Sequence, residues 1–279
     1  MKILITGSDG LMGTNILPDL AKHFDIVPVT ENQWDILDVR RGEEIVRLHR
    51  PDVLVNLAAI TNVDGCEDAP EAAHRVNAEG AGVLADLCRN ENVRLVHLST
   101  DYVFDGTSTR PYTERDETHP LSVYGRSKLL GEQEVLQRHP SSVVIRTEWV
   151  YGKGGENFIT KVTRIAREKG RVEVVNDQTG SPTYARDLAE PMRALIEARC
   201  TGIYHVTNSG CCTWFEFARE IFSFLQIDVP CKPTTSDLIH RKAKRPAYSV
   251  LDCSKLRNDT GVSMRTWQQA LQDYLAECR

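Results

Sequence analysis

The chain has 279 residues, of which 41% are apolar and 26% charged, and carries a net charge of −5 at neutral pH. That length is enough to bury a sizeable core in one large domain, or in a domain with a smaller appendage, and the acidic balance gives no footprint for nucleic-acid binding. No apolar run reaches the roughly 18 residues of a membrane span, and with a first strand expected at residue 2 no secretion signal is expected before it. The expectation is a cytoplasmic protein whose eight cysteines stay reduced.

In chain order, residues 2–6 form a short apolar run suited to a buried parallel strand. Gly7, Gly10 and Gly13 follow it, spaced G-x-x-G-x-x-G. This differs from the G-x-G-x-x-G dinucleotide fingerprint, but the physics is alike: one glycine for the tight turn, one for the approach of a pyrophosphate, one for packing of helix on sheet. Helix N-terminal amides would then face the phosphates. Pro18 lies inside the helix that should follow, which predicts a kink or a short first helix. Residues 26–29 read as a second strand, 41–50 as a helix ended by Pro51, and 53–57 as a third strand. Asp68 and Pro70 open a long helix to about Asn90, and residues 94–98 are the fourth strand. A helix over 121–139 stops at Pro140, and 143–146 is the fifth strand. This alternation implies a parallel, doubly wound sheet.

The second half is less regular. Helices are expected over 158–169, 187–198, 213–225 and 267–278, and strands over 172–175 and 203–206. Thr213 and Glu216 form a capping box, and Trp214, Phe215, Phe217, Phe222 and Phe224 read as the core face of that helix and its flanks. Residues 230–245 are a long polar stretch. Adjacent Cys211 and Cys212 read as small residues in a turn before a helix, and no Cys or His spacing matches a zinc site. Composition does not break near residue 150. Residues 1–150 are expected to form a dinucleotide-binding α/β domain. Residues 151–279 are expected to form a smaller α/β portion, with segments returning to the first.

Residues 121–128 read Leu-Ser-Val-Tyr-Gly-Arg-Ser-Lys, which places Tyr124 and Lys128 one helical turn apart on one face. A neighbouring ammonium favours the phenolate and lowers the tyrosine pKa, making the pair an acid/base device for a carbonyl or alcohol. His97, within the fourth strand, reads as a packed strand residue rather than a ligand. Arg241-Lys-Ala-Lys-Arg245 carries four cations in five residues, among which Arg245 is expected to clamp a diphosphate and the others to face solvent.

Residues 98–106 read Leu-Ser-Thr-Asp-Tyr-Val-Phe-Asp-Gly. With the glycine turn and Tyr124-x-x-x-Lys128, this resembles the extended short-chain dehydrogenase/reductase superfamily, and within it the dTDP-4-dehydrorhamnose reductase family. Residues 56–64 (Asn-Leu-Ala-Ala-Ile-Thr-Asn-Val-Asp), 146–151 (Arg-Thr-Glu-Trp-Val-Tyr), 177–185 (Asp-Gln-Thr-Gly-Ser-Pro-Thr-Tyr-Ala) and 245–249 (Arg-Pro-Ala-Tyr-Ser) carry the likeness nearly end to end.

The resemblance implies a Rossmann-type fold and catalytic positions at Thr100, Tyr124 and Lys128. It implies cofactor contacts at Gly7, Asp9, Gly10, Leu11, Met12, Gly13, Asp35, Ile36, Ala58, Ala59, Thr61 and Asn77, besides Tyr124 and Lys128. Substrate contacts are implied at Asp101, Tyr102, Trp149, Gln178, Pro182 and Arg245. Two residues depart from the pattern: Glu148 stands where a small residue is expected, and Met12 where a small or amide residue is usual. Some members are dimers with a divalent cation at the interface, so a homodimer is one state the resemblance allows; no residue here is assigned to a metal.

The implied reaction is hydride transfer from NADPH or NADH to the C4 ketone of dTDP-4-dehydro-6-deoxy-L-mannose. Tyr124 donates the proton, Lys128 lowers the tyrosine pKa and binds the nicotinamide ribose, and Thr100 holds the carbonyl oxygen. The coenzyme stays open: Glu31 favours the 2′-hydroxyl of NAD, whereas the resemblance leans to NADPH or dual use. Two other readings stand beside this one. A nucleotide-sugar epimerase or dehydratase is one, against which Tyr102 after Asp101 supplies no second carboxylate. A non-catalytic NADP-binding subunit, like the regulatory β subunit of methionine adenosyltransferase, is the other.

Overall fold

The computed structural model describes residues 1–278. The first half holds β1 (Lys2–Thr6), α1 (Leu11–Leu20), β2 (Asp25–Val29), α2 (Val39–His49), β3 (Val53–Asn56), α3 (Val63–Asp68), α4 (Pro70–His74), α5 (Gly80–Asn90), β4 (Arg94–Thr100), α6 (Val123–Arg138) and β5 (Val143–Thr147). In the second half come β6 (Val150–Tyr151), α7 (Phe158–Lys169), β7 (Val172–Val175), β8 (Thr179–Gly180), β9 (Thr183–Tyr184), α8 (Ala189–Glu197), β10 (Gly202–His205), β11 (Cys212–Thr213), α9 (Trp214–Leu225), β12 (Cys231–Thr234), α10 (Ser254–Thr260) and α11 (Trp267–Glu277).

Six parallel strands form the central sheet in the order β10-β5-β4-β3-β1-β2. Strands buried on both faces read as unbroken apolar runs, as Ile3-Leu4-Ile5 and Val53-Leu54-Val55 do here. Successive side chains point to opposite faces. Ile3 and Ile5 accordingly pack with Ile16 and Leu195 on one side, and Leu4 with Leu84 and Leu95 on the other. A separate core around Tyr151, Phe217 and Trp267 belongs to the second half. The winding reverses between β1 and β3, and open sheets of this kind bind ligands beyond the carboxyl ends of the strands at that point.

Pro18 resolves as a short first helix: α1 ends two residues after it, at Leu20. The long helix expected from Asp68 to about Asn90 runs unbroken from Pro70 to Asn90 as α4, a π turn over Arg75–Glu79 and α5, and a separate short helix, α3, precedes it. Asp68 is the last residue of α3, which is capped by Asn62 accepting from the Gly65 amide at 3.0 Å. Pro70, which has no N–H to donate, opens α4 at its first position. The polar stretch after residue 230 hides β12, which lies parallel to β7. Its alternation is masked because it is half-exposed, and the α10 helix was missed for the same lack of an apolar face. Cys212 begins β11 rather than a plain turn, and none of the eight cysteines is in a disulfide. No described helix is long and apolar enough to cross a membrane.

The turn between β1 and α1 leaves no room for a side chain at its third glycine. A Cβ on Gly13 would lie 2.2 Å from the Ser8 carbonyl oxygen. Gly13→Ala is therefore expected to lower stability by about 1–3 kcal/mol through overpacking. Chemical denaturation checks it, and a midpoint equal to wild type would show that the turn yields.

Candidate functional site

The glycine turn lies at the reversal point of the sheet. Gly7 has φ +64°, and a Cβ there would approach the Ala58 amide nitrogen to 2.8 Å. The loops after β1 and β3 thus meet, bringing Gly7 against the Ala58–Ala59 segment. Gly10 caps α1 without a side-chain hydrogen bond, so the first-turn amides of Leu11, Met12 and Gly13 have no side-chain cap. An uncapped helix N-terminus behind a glycine cradle suits a dinucleotide pyrophosphate. Asp9 is exposed at the mouth of the turn and Met12 packs on the core beneath it, which accommodates the departure noted at that position. Asp35 is exposed and accepts from the Leu37 amide at 2.9 Å, whereas Ile36 is buried among Leu4, Val29 and Trp34. Asn77, in the π turn, accepts from the Ile60 amide at 2.8 Å and donates to the Ile60 carbonyl and Ser127 Oγ, each at 3.0 Å. It fastens the loop that carries Ala58, Ala59 and exposed Thr61 to the Tyr/Lys helix.

β4 ends at Thr100. Its Oγ accepts from the Tyr102 amide at 3.2 Å and donates to Asp101 Oδ1 at 3.0 Å. Ser122 starts α6 by accepting from the Gly125 amide at 3.1 Å, and the helix then carries Tyr124 and Lys128 beneath β4. The Tyr124 phenol lies near enough to the Thr100 hydroxyl for that hydroxyl to favour its phenolate, and its ring meets Tyr102 edge to face with centroids 5.8 Å apart. Thr100, Tyr124, Asp101 and Tyr102 are therefore one cluster.

Lys128 departs from the expected geometry. Its ammonium is buried and donates to the Leu98 carbonyl at 2.6 Å, with His97 Nε2 at 3.4 Å. Burial lowers it to about 8, against the opposing charge of Glu132. Burial also pushes the Tyr124 phenol above its ordinary value, with the Thr100 hydroxyl partly opposing. The expected lowering of that phenol by Lys128 is not what sets it: Lys128 Nζ is turned to Leu98 and His97, and desolvation dominates. The consequence is a tyrosine that stays protonated at neutral pH and is ready to donate. Glu132 itself is buried, held by Arg146 at 2.9 and 2.6 Å and by Ser99 Oγ at 2.5 Å.

The substrate-side residues divide. Trp149 has φ +47°, a left-handed backbone uncommon for an aromatic residue, and its ring stacks on Trp214 at 3.5 Å with planes 7° apart. Trp214 therefore does more than line a helix core; the only sequence signal was its place directly after the Thr213 cap. Arg245 forms a two-pronged pair with Asp64, at 3.2 and 2.8 Å, and lies close enough to Tyr102 for its charge to act on that phenol. The guanidinium assigned to a diphosphate is in large part taken up by Asp64, and Lys242 pairs with Asp68. Arg241, Lys244 and Arg245 line a cavity of about 280 Å³ with Gln178, whose Nε2 donates to Ser236 Oγ at 2.7 Å. Pro182 is buried ahead of β9. Among the described residues no cluster of His, Cys, Asp and Glu is arranged to hold a metal ion.

Glu148 is 1% exposed and accepts from Ser249 Oγ at 3.0 Å. It contacts no solvent and sits in the field of buried Asp101. Asp101 Oδ2 and Glu148 Oε1 are buried without a hydrogen-bond partner among the described residues. Burial raises Asp101 to about 7 and, with the like charge of Asp101, holds Glu148 well above the carboxylate range.

The family model described as the RmlD substrate binding domain matches residues 1–279. The chain is 42% identical over 283 residues to a dTDP-4-dehydrorhamnose reductase of Mycobacterium tuberculosis, covering 99% of this chain and 92% of the relative. Among solved structures, a dTDP-4-dehydrorhamnose reductase from Clostridium acetobutylicum aligns with TM-score 0.96 and 38% identity over 100% of this chain and 99% of that one. The corresponding Bacillus anthracis enzyme, in complex with NADP, aligns with TM-score 0.96 and 36% identity over 99% of each.

The raised carboxyl pair has a signed consequence. The folded state binds both protons more tightly than the unfolded chain; the contribution of Asp101 is complete below its ordinary value of 3.8 and is lost as pH rises through about 7, and that of Glu148, raised in the same direction, is likewise lost with rising pH. Glu148→Gln is expected to melt above wild type at about pH 8, with the gain shrinking towards about pH 5. Scanning calorimetry at both pH values checks this; an equal shift at both would remove the carboxyl pair as its cause.

Proposed function

The chain belongs to the family described as the RmlD substrate binding domain, and from that premise we propose that it reduces the C4 ketone of dTDP-4-dehydro-6-deoxy-L-mannose with NADPH or NADH, giving dTDP-L-rhamnose. The observation that carries this reading is the meeting of Thr100 and Tyr124, over Lys128, at the carboxyl end of β4. The two relatives named as dTDP-4-dehydrorhamnose reductases, at 42% and 38% identity, support it. We take residues 1–150 as the portion that holds the coenzyme and 151–279 as mainly the substrate portion.

The reduced nicotinamide supplies the hydride. Gly7, Gly10 and Gly13, with the uncapped amides of Leu11 and Met12, would hold the pyrophosphate; Asp9, Asp35, Ile36, Ala58, Ala59, Thr61 and Asn77 form or brace its surroundings. Thr100, turning its hydroxyl from Asp101 to the substrate, stabilises the charge developing on the carbonyl oxygen. Tyr124, kept protonated by burial, gives its proton to that oxygen. Trp149 and Trp214 offer an aromatic face to the sugar. Arg241 and Lys244 join Arg245, Gln178 and Pro182 on the nucleotide side, so the diphosphate is held by more of the basic segment than Arg245 alone.

The test is oxidation of NADPH and NADH by purified protein, followed by loss of nicotinamide absorbance, with the keto sugar made in situ. Wild type is expected to consume coenzyme stoichiometrically. Tyr124→Phe should lose about 10²–10⁴-fold in kcat, and Thr100→Val about 10²–10³-fold, both with coenzyme binding intact. Retention of the coenzyme without net consumption would point to an epimerase. Tight coenzyme binding with no oxidation would sink the reductase reading in favour of a regulatory subunit.

A further inference from the structure

The residue that the proposed chemistry leaves unused is His97. It is 1% exposed, inside β4, and touches polar groups on two sides. On one side its Nδ1 lies 3.0 Å from Asn56 Nδ2. On the other its Nε2 lies 3.4 Å from Lys128 Nζ.

Hydrogen-bond accounting assigns the proton. The Ala58 backbone N–H, which only donates, points at Asn56 Oδ1 at 3.1 Å, and Thr6 Oγ donates to the same oxygen at 2.7 Å. The Asn56 amide is thereby oriented with its NH₂ towards His97. An amide nitrogen has donors and no acceptor, so His97 Nδ1 must be the bare acceptor. A neutral imidazole then carries its proton on Nε2, facing Lys128. Burial and the Lys128 charge both hold the imidazole neutral, well below its ordinary pKa. An ammonium also only donates, so the charged form of Lys128 meets a donor where it needs an acceptor. The neutral amine, by contrast, accepts from Nε2–H.

We propose that His97 is a positioning residue that keeps the Lys128 proton exchangeable, by giving the neutral amine a hydrogen-bond donor and the ammonium no acceptor. The inference rests on the reductase reading of Lys128. There, hydride adds to the carbonyl carbon, the Tyr124 proton passes to the oxygen, and the phenolate left behind is reprotonated at the expense of the Lys128 ammonium. The resulting amine is the species that His97 Nε2–H stabilises, and solvent returns its proton.

The other groups around Lys128 do not supply this. Glu132, one turn along α6, favours the ammonium, but Arg146 from β5 neutralises it in a two-pronged pair. Tyr124, one turn back on α6, is itself held neutral by burial, in the field of Asp101, Tyr102 and Cys66. From β3 the group in this row is the uncharged Asn56, and from β4 itself the Leu98 carbonyl accepts one of the three ammonium protons.

Two substrate-free measurements on the full-length protein test it. With ¹⁵N-histidine, long-range ¹H–¹⁵N correlation from about pH 6 to 9 should show His97 as the neutral Nε2–H tautomer throughout, its resonance assigned by loss in His97→Gln. An Nδ1–H tautomer, or an imidazolium at pH 7, overturns the proposal. With ¹³Cε-lysine, Lys128 should titrate about one pH unit higher in His97→Gln, whose amide oxygen accepts from the ammonium. Asn56→Asp is the second variant: its carboxylate takes the His97 Nδ1–H, bares Nε2 towards Lys128, and should move the titration the same way. An unmoved Lys128 titration in a folded variant sinks the proposal even if the tautomer is as expected. Neither measurement needs turnover, so failure of the reductase assay and failure of this inference are separate results.

Discussion

A row of buried polar side chains crosses the sheet and ends under the site. Thr6, Asn56 and His97 are direct register partners on β1, β3 and β4, and Lys128 of α6 closes the row. A buried polar group without a partner costs about 1–3 kcal/mol, so each member requires its neighbour. A slip of one residue in either strand pair would turn the row's side chains to the opposite face and leave them unpaired. The apolar runs on these strands make the sheet, and being apolar on both faces they discriminate between registers less sharply than buried polar groups that must find partners. The polar row singles out the register in which β4 delivers Thr100, and α6 delivers Tyr124, to the same place.

Around that row the site is assembled from segments remote in the chain. The β1 and β3 loops touch through Gly7 and Ala58. Asn77 secures the β3 loop to α6 through Ile60 and Ser127. Asn15 of α1 reaches the backbone of Lys153 in both directions, at 2.8 and 3.0 Å, and so ties the coenzyme side to the second half. The left-handed backbone of Trp149 is strain of the order of 1–3 kcal/mol, and it is held by the stack on Trp214 and by the burial of Glu148 next to it. Strain of that kind is sustained where the surrounding packing over-determines the conformation, as it does between the two halves here.

Burial sets the chemistry of these groups more than pairwise charge does. It keeps the Tyr124 phenol protonated, draws Lys128 down to about 8, and raises Asp101 to about 7. All three shifts favour the neutral form, as expected where desolvation outweighs the nearest charge. The arrangement is therefore a protonated phenol backed by an ammonium that loses its proton more readily than usual, around the end of β4, suited to protonating an oxygen.

The glycine spacing, the βα alternation, the Thr213–Glu216 capping box and the Tyr124/Lys128 helix were legible in the sequence, because each depends on residues within a few positions of one another. At Pro18 the sequence left a kink or a short helix open, and the structure has the helix ending two residues later. Within the helix over 70–90 the π turn was not legible, because it has no periodicity of its own, nor was β12, because half-exposed Cys231-Lys-Pro-Thr234 shows no apolar alternation. The pairing of Arg245 with Asp64, the seat of Lys128 against Leu98 and His97, the burial of Glu148 beside Asp101 and the stack of Trp149 on Trp214 were decided by the tertiary structure alone. Local pattern determined which elements form and which residue types they carry. Desolvation and hydrogen-bond satisfaction are properties of the packed whole, and only there do they settle which of those residues are charged, which are paired, and which face the ligand.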